Sequence, residues 1–437
     1  MILSFKDQLN FAKLSHDFNP LHCDEILSRR YIYGEPAVHG INVMILAIQE
    51  WSNSKNSAFI IEELKCKFIK PIFLNKKIKF KIIENCQNIK IKVFQEDELK
   101  IKLGFLFNSY KDKFNLVNPF DVSTATSPEN NSFEQLRNYS KIISISIDKK
   151  NAKEIYSASF IDKIGYAQLA EIVSYSRIIG MHAPGLNSIF SELNVQNKDQ
   201  KCSNSIAFRV TDIDERFKII YLECEGRLFN ANLKAFYRPP LVSQKNINEI
   251  SKYVKKDEFV DQRALIVGGS RGLGEFTAKC LGYGGAQLFL SYFMGNKDTL
   301  KILKSIKDHN NRLNCFSLDV TNITESDLEK IRDFNPTHVY YFATPFIFQG
   351  SKNRFDKKIF KRFKEFYVDA FEYIIEYILN INLGEDRYVF YPSSVAINNT
   401  PNDMLEYVEA KKEGEMSCLR LEEKYDNLKI YKPRLPR

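Results

Sequence analysis

Apolar residues recur at helical spacing from Gly40 to about Trp51, with Ile41, Met44, Ile45 and Ile48 on one stripe. Four β-rich runs follow: Ala58–Ile69, Lys77–Ile83, Ile89–Phe94 and Leu99–Phe107. Two of them alternate apolar with charged residues, as Ile-Lys-Ile-Lys and Lys-Ile-Lys-Phe-Lys, which predicts a sheet with one wet face. The same order then returns. A helical stretch, Tyr166–Ile179, precedes strands near Ile189–Val195, Asn204–Thr211, Lys218–Glu225 and Leu228–Tyr237. A helix followed by an antiparallel meander, stated twice, predicts an internal duplication of diverged sequence. From residue 261 onward strands and helices alternate, the pattern of a parallel, doubly wound sheet.

Two stretches separate these patterns. Val122–Ser132 reads VSTATSPENNS, a composition that favours turns. Arg238-Pro239-Pro240 stops a strand and opens a polar segment to Asp261. The expected domains are therefore 1–120, 135–240 and 261–437, which suits a chain of 437 residues at about 150 per domain. The expected class is multidomain, α+β followed by α/β.

Composition narrows the class further. Hydrophobic residues make up 44% and charged residues 27%, which excludes global disorder. The net charge is +9, but basic and acidic residues interleave, so no nucleic-acid arm is expected. The eight cysteines (23, 66, 86, 202, 224, 280, 315, 418) contain no C-x-x-C pair. That argues against a zinc site or a disulfide framework and for free thiols in a reducing compartment. The N-terminus meets lysine and aspartate within seven residues, unlike a signal peptide, and no apolar run approaches the ~20 residues of a membrane helix. A cytoplasmic protein without membrane association is expected.

The first candidate chemistry lies in residues 11–40, FAKLSHDFNPLHCDEILSRRYIYGEPAVHG, which hold His16, His22 and His39, three of the chain's six histidines. Asp17, Asn19 and His22 fall within six residues around Pro20, whose ring fixes the local backbone. A carboxylate and an imidazole held on one turn can share a water, one accepting its proton and the other positioning or donating. Gly40 opens the apolar helix, whose free N–H groups suit a developing oxyanion. The same residues also suit an Asx-turn in which Asp17 and Asn19 cap backbone groups and His22 is a surface residue. F-A-x-L-S-x-D-x-N-P-x-H followed by G-x-P-x-x-H-G resembles the MaoC-like (R)-specific enoyl-CoA hydratases, a hotdog-fold family. The resemblance covers about 1–120. It implies that Asp17 and His22 activate water, that Asn19 orients them, and that the Gly40 N–H binds a thioester carbonyl. His16 departs from the family's usual glycine. The second block, with GMHAPGLNSIFSELNV, resembles a second, degenerate hotdog lacking D-x-N-P-x-H, with His182 alone near Pro184-Gly185. The arrangement resembles double-hotdog hydratases, one half catalytic and the other shaping the acyl tunnel.

The second candidate chemistry begins at RALIVGGSRGLG, residues 263–274. A strand, Ala264–Val267, runs into glycines at 268, 272 and 274 and then a helix from Glu275; such a turn lets backbone approach a pyrophosphate. Asp319-Val320 ends an expected strand Asn314–Val320, and Ala343 follows another, Val339–Phe342. Tyr388–Ser394 leads to Ser394, with Tyr407 thirteen residues on and Lys411 four beyond, so Tyr and Lys share a helix face. A nearby ammonium lowers a phenol's pKa. These positions resemble the short-chain dehydrogenase/reductase family, which implies a Rossmann-type sheet. In that family Tyr407 would protonate a carbonyl oxygen, Lys411 would hold the ribose and lower the Tyr pKa, and Ser394 would orient the carbonyl. Gly268, Ser270, Arg271, Gly272, Leu273, Gly274, Asp319, Val320, Ala343 and Lys411 would contact the dinucleotide. The family's helix Asn is replaced by Asp369. The second strand, Gln287–Tyr292, ends in Ser291-Tyr292 without an acid for a ribose 2′-OH, while Arg271 can pair with a 2′-phosphate, which favours NADPH over NAD. Family members continue past the sixth strand with another strand and a substrate-covering segment, whereas this chain stops at KIYKPRLPR.

Hydration of an enoyl thioester and reduction of a 3-oxoacyl thioester meet at the same (R)-3-hydroxyacyl thioester. The two resemblances together imply a bifunctional enzyme acting on acyl-CoA or an acyl-carrier-protein thioester. They also imply a homo-oligomer, and no metal is expected. Two alternatives remain open from the residues: a reductase for a sugar or small ketone beside an acyl-handling pair, and a nucleotide-binding module without turnover.

Overall fold

The computed structural model describes residues 1–109, 127–198, 204–241, 244–347, 354–382 and 384–436. Of the first expected linker, 122–126 lies outside the described residues, as does Cys202. The chain divides into two compact units, Met1–Leu241 and Val242–Arg437.

The first unit opens with helix α1 (Phe5–Ser15), a single turn α2 (Pro20–Cys23) and helix α3 (Gly40–Ser52). A meander follows: β1 (Phe59–Phe68), β2 (Ile78–Asn85), β3 (Asn88–Gln95) and β4 (Glu98–Ser109). The second half runs through β5 (Ser140–Ser144), α4 (Lys149–Ile155), α5 (Ala158–Ile164) and α6 (Tyr166–Arg177), which ends in a π-turn, Ile178–His182. Then come β6 (Ser188–Asn197), β7 (Ser205–Asp214), β8 (Ile219–Glu225) and β9 (Phe229–Tyr237). All pairings are antiparallel, and the two meanders join through β1 and β6 into one nine-stranded sheet, β2-β3-β4-β1-β6-β9-β8-β7-β5. The first two expected blocks therefore share a single sheet and a single core. Elements β5, α4 and α5 had no sequence expectation, since none carries a strong periodic stripe.

Helix α3 is buried on nearly every side, as an apolar helix wrapped by a sheet must be. Trp51 near its end meets Phe59, Phe105 and Phe107 edge-on. The alternation in β2 and β3 leaves Lys79, Lys81, Lys90 and Lys92 exposed and Ile78, Ile89 and Ile91 buried. The halves are also tied by polar contacts. Gln168 on α6 bonds the Ile61 N–H and the Phe59 carbonyl at the irregularity in β1, and Tyr156 Oη donates to Asn42 Oδ1 at 3.0 Å.

The second unit begins earlier than the expected residue 261. It takes in a turn, α7 (Ile247–Ile250), whose Ile247 and Ile250 are buried. Its parallel strands are β10 (Arg263–Val267), β11 (Gln287–Tyr292), β12 (Leu313–Ser317), β13 (His338–Tyr341), β14 (Arg387–Phe390) and, after a two-residue β15 (Ser393–Ser394), β16 (Leu428–Tyr431). The order is β12-β11-β10-β13-β14-β16, and a short β17 (Arg434–Leu435) pairs with β15. Alternate residues of β10 enter different cores, Leu265 and Val267 one, Ala264 and Ile266 the other, so the strand is apolar throughout. Helices α8 (Gly272–Tyr283) and α9 (Asn296–Ile306) line the second of these cores. Helices α10 (Glu325–Phe334), α12 (Ala370–Ile381) and α13 (Leu405–Lys424) line the first, with α11 (Lys357–Lys364) before a π-turn, Glu365–Asp369. Two expected strands shorten: β12 stops at Ser317, ahead of Asp319, and Pro392 splits the run Tyr388–Ser394, because proline cannot donate to the ladder. Among the described residues no helix is long and apolar enough to cross a membrane.

Candidate functional sites

His16 caps α1 in the left-handed conformation, φ +55°, a position that favours glycine. The chain then reverses into the turn that carries Asp17, Asn19 and His22. Asn19 caps α2 by accepting from the Leu21 N–H at 3.0 Å. Its amide nitrogen donates across to the second half, to the Gly180 and Gly185 carbonyls at 2.9 and 3.0 Å. Asn19 is fully buried, so it acts as a tie between the turn that carries Asp17 and His22 and the second half. An Asx-turn is present as well, with Asp17 Oδ1 accepting from the Asn19 N–H at 3.2 Å.

Asp17 is 2% exposed. Its Oδ2 accepts 2.7 Å from Ser176 Oγ on α6, and Gly180 packs so closely on the carboxyl that any side chain there would overlap it. Burial raises the Asp17 pKa, while His22, Ser176 and the Asn19 N–H oppose that rise. The half-buried His22 places Nδ1 2.7 Å from the Ala37 carbonyl. A carbonyl only accepts, so Nδ1 carries the proton and Nε2 keeps its lone pair. Burial holds the His22 pKa below its usual value against the pull of Asp17. A free base next to a buried carboxyl is the arrangement that can activate water.

His39, left out of the site by sequence reasoning, packs against it. Its ring stacks on His22 at 4.0 Å, its Nε2 lies 3.1 Å from the Asp17 carbonyl and 3.6 Å from Asp17 Oδ2, and its Nδ1 is buried without a partner among the described residues. Burial keeps it neutral. The signal available was the clustering of half the chain's histidines. Asp17, His22 and His39 each offer a ligand atom within 4.8 Å of the others, the one group among the described residues able to hold a metal ion. Next to His39, Gly40 starts α3. A Cβ there would sit 2.7 Å from Phe68 Cδ1, so glycine lets the aromatic pair Phe68–Phe190, one ring from each half, lie over the helix start. Buried His182 bonds Glu129 through Nδ1 at 2.9 Å; Glu129 also takes Lys141 Nζ and Tyr139 Oη, and its pKa falls to about 2.

In the second unit the glycine turn lies between the ends of β10 and β13, where the strand order reverses. That switch point is where open α/β sheets receive ligands. Gly268 has φ +84°, and a Cβ there would lie 2.9 Å from the Ala343 nitrogen; a Cβ on Gly274 would run into the Gly268 carbonyl. Gly272, φ +57°, opens α8 with open space around it, Arg271 precedes it, and Leu273 is exposed. This glycine-rich turn at a helix start fits a pyrophosphate. Ser270 lies against Gly295, and Ser291 Oγ accepts from the Gly268 N–H at 3.2 Å. Asp319 spends Oδ1 on Thr321, and Val320 is buried.

Ser394 Oγ accepts from the Ala396 N–H, capping the turn beyond β15. Buried Tyr407 packs with Ala396 and Ile397 of that turn and edge-on to Phe363 and Tyr367 at 5.8 Å each. The Lys411 ammonium donates to the Pro392 carbonyl at 2.8 Å and lies 3.8 Å over the Tyr367 ring; burial lowers its pKa to about 7. Tyr367, absent from the sequence expectation, also shares a 2.5 Å hydrogen bond with Thr344, next to Ala343. Asp369, expected in place of the family's asparagine, is exposed and pairs with Lys364. The π-turn Glu365–Asp369 adds a residue to the helix, which turns Tyr367 and Val368 inward and Asp369 out.

No curated protein matches the sequence. Among solved structures, the chain resembles a short chain dehydrogenase from Salmonella enterica serovar Typhi at 18% identity, covering 42% of this chain and 80% of that one, with a TM-score of 0.38. It also resembles an oxidoreductase, yciK, from Escherichia coli at 15% identity, with coverages of 42% and 79% and a TM-score of 0.38. A third is FolM Alternative dihydrofolate reductase 1 from Brucella suis in complex with NADP, at 14% identity, coverages of 40% and 72%, and a TM-score of 0.37. In the first unit, residues 3–103 match the MaoC like domain family.

Proposed function

We propose that the first unit is a double hotdog that adds water to, or removes it from, an acyl thioester. The observation that carries this reading is the pairing of buried Asp17 with His22, whose Nε2 lone pair is free. A water between them loses a proton to His22 Nε2 as its oxygen bonds to C3 of a trans-2-enoyl thioester. The π electrons move toward the thioester carbonyl, whose oxygen the Gly40 N–H stabilises at the start of α3. The protonated Asp17 carboxyl gives its proton to C2, forming the 3-hydroxyacyl thioester, and the proton taken by His22 then passes to Asp17 and restores the pair; the reverse steps dehydrate the product. An (R) product, with acyl-CoA or an acyl-carrier-protein thioester as substrate, is what the resemblance to MaoC-like (R)-specific enoyl-CoA hydratases implies.

The second unit we read as a Rossmann-type short-chain reductase of 3-oxoacyl thioesters. Gly268, Ser270, Gly272, Leu273 and Gly274 would hold the pyrophosphate, Ala343 the backbone beside it, and Arg271 a 2′-phosphate, so NADPH is preferred over NAD. The cofactor supplies hydride when bound. Tyr407 gives a proton to the carbonyl oxygen, Ser394 orients that carbonyl, and Lys411 keeps positive charge near the phenol. A second reading, a nucleotide-binding module without turnover, is favoured by one observation: the Lys411 ammonium is committed to the Pro392 carbonyl and the faces of Tyr367 and Tyr391.

The test is a coupled assay on crotonyl-CoA with the purified full chain. Loss of enoyl absorbance without cofactor supports the hydratase, and NADPH formation on adding NADP⁺ supports the reductase. An unchanged enoyl signal with short and medium chains sinks the hydratase reading. NADPH binding with no ketone turnover favours the second reading.

A further inference from the structure

Four lysines stand in one row across the outer face of the first unit's sheet. Strand register places Lys81 of β2 opposite Lys92 of β3, Lys92 opposite Lys102 of β4, and Lys102 opposite Lys67 of β1. All four are exposed, on neighbouring strands about 4.8 Å apart. Like charges directly opposite each other on adjacent strands are destabilising. Lys67 meets Glu192 of β6 at 3.4 Å, whereas Lys81, Lys92 and Lys102 make no ion pair among the described residues. The second half of the same sheet arranges its cations differently. Arg209 of β7 stands opposite Glu223 of β8 and pairs with it at 2.9 Å. Lys234 of β9 stands opposite Glu192 and lies 3.6 Å from it. Solubility is served as well by matched signs as by one sign, so it does not explain a register that leaves three cations unmatched in one half only. Exposed Ile83 and Leu106 border the row on β2 and β4, facing the same way as the lysines.

We propose that the row Lys81–Lys92–Lys102 docks an acidic protein that carries the acyl group as a thioester, so that the first unit takes its substrate from a carrier protein. This inference rests on the hydratase reading and names the carrier for it. Charge complementarity selects the partner: unmatched cations on a flat sheet face, edged by two apolar side chains, fit a folded acidic surface. No aromatic side chain stands in the row, and stacking aromatics are what single-stranded nucleic acids find on their binding faces. The chain also connects the row to the site. Lys67 is followed by Phe68, which turns to the opposite face and lies against Gly40 at the start of α3. A carrier on the row therefore stands at the strand end that borders the proposed thioester position. The lysines act on encounter, by attracting and orienting the carrier, and take no part in the chemistry.

The test uses the full chain and a triple variant, Lys81→Glu, Lys92→Glu and Lys102→Glu, with the corresponding Gln variant should the Glu variant not fold. Binding of a fluorescently labelled acidic acyl carrier protein, loaded with a crotonyl group, is followed by anisotropy at low and high salt. Hydration kinetics are measured on the same loaded carrier protein and on crotonyl-CoA. The triple variant is expected to lower affinity and kcat/KM for the loaded carrier protein about 10-fold or more, the scale of electrostatic steering. The difference should shrink at high salt, and kcat/KM for crotonyl-CoA should stay at the wild-type value. Arg209→Gln, on the second half of the sheet, should change neither. The proposal is overturned if wild type does not bind the carrier protein at low salt, or if the folded variant binds it as well as wild type does. It is also overturned if crotonyl-CoA hydration falls equally, or if the lysines matter only for phosphatidylglycerol vesicles or duplex DNA. A wild-type chain inert on both thioesters, yet binding the carrier protein through these lysines, would sink the hydratase reading and leave the docking surface standing.

Discussion

Ser176 Oγ, on the central helix of the second half, donates a 2.7 Å hydrogen bond to Asp17 Oδ2 in the first half. The half without the D-x-N-P-x-H motif thus completes the carboxyl that the motif carries. Asn19 makes the converse connection, from the motif into the second half's π-turn and the loop after it.

Ser176→Ala should therefore weaken the first site without touching the motif. Removing a bond to a charged group costs about 1.5–3 kcal/mol, so kcat/KM for crotonyl-CoA hydration should fall on the order of 10- to 100-fold. The Asp17 pKa should rise further, because a donor to its carboxylate form is gone. Hydration kinetics across pH check both; unchanged kinetics would remove Ser176 from the site.

Gly40→Ala should be tolerated by α3 but not by Phe68, whose ring lies 2.7 Å from the new Cβ. Hydration should drop, and Gly40→Ala with Phe68→Leu should recover part of the loss. A double variant no better than the single one would place the defect elsewhere.

Asp17→Asn should abolish hydration while NADPH-linked reduction of a 3-oxoacyl thioester continues at the wild-type rate. Two separate assays on one preparation decide this. Equal loss of both activities would contradict two independent sites.

Lys411 offers a stability test. Its pKa, lowered to about 7, lies below that of a lysine in the unfolded chain, so the folded state binds fewer protons between the two values. The cost of burying its charge is fully present below about pH 7 and is relieved as pH rises toward 10. Lys411→Met should therefore gain melting temperature relative to wild type at neutral pH, and that difference should narrow by pH 10. Thermal melts of the full chain at pH 7 and 9.5 measure it; a constant difference would mean that Lys411 is charged throughout.

Local pattern was enough to delimit most elements. The apolar stripe of Ile41, Met44, Ile45 and Ile48 marks α3, and period-two alternation marks β2 and β3, because those periods follow from backbone geometry alone. Asp17, Asn19 and His22 were legible as a group because a proline-fixed turn holds residues close in sequence close in space. The glycines at 268, 272 and 274 were legible because the turn needs a positive φ at 268 and 272 and leaves no room for a Cβ at 268 and 274. Ser176, Gly180 and Tyr367 were not legible. They reach their sites through strand pairing across β1 and β6, or through π-turns that shift a helix face by one residue. The sequence by itself determined the local turns that bring each group of candidate residues together. The tertiary structure decided which distant residues support them, because contacts between residues 159 positions apart depend on how the two meanders join into one sheet, and no local period encodes that.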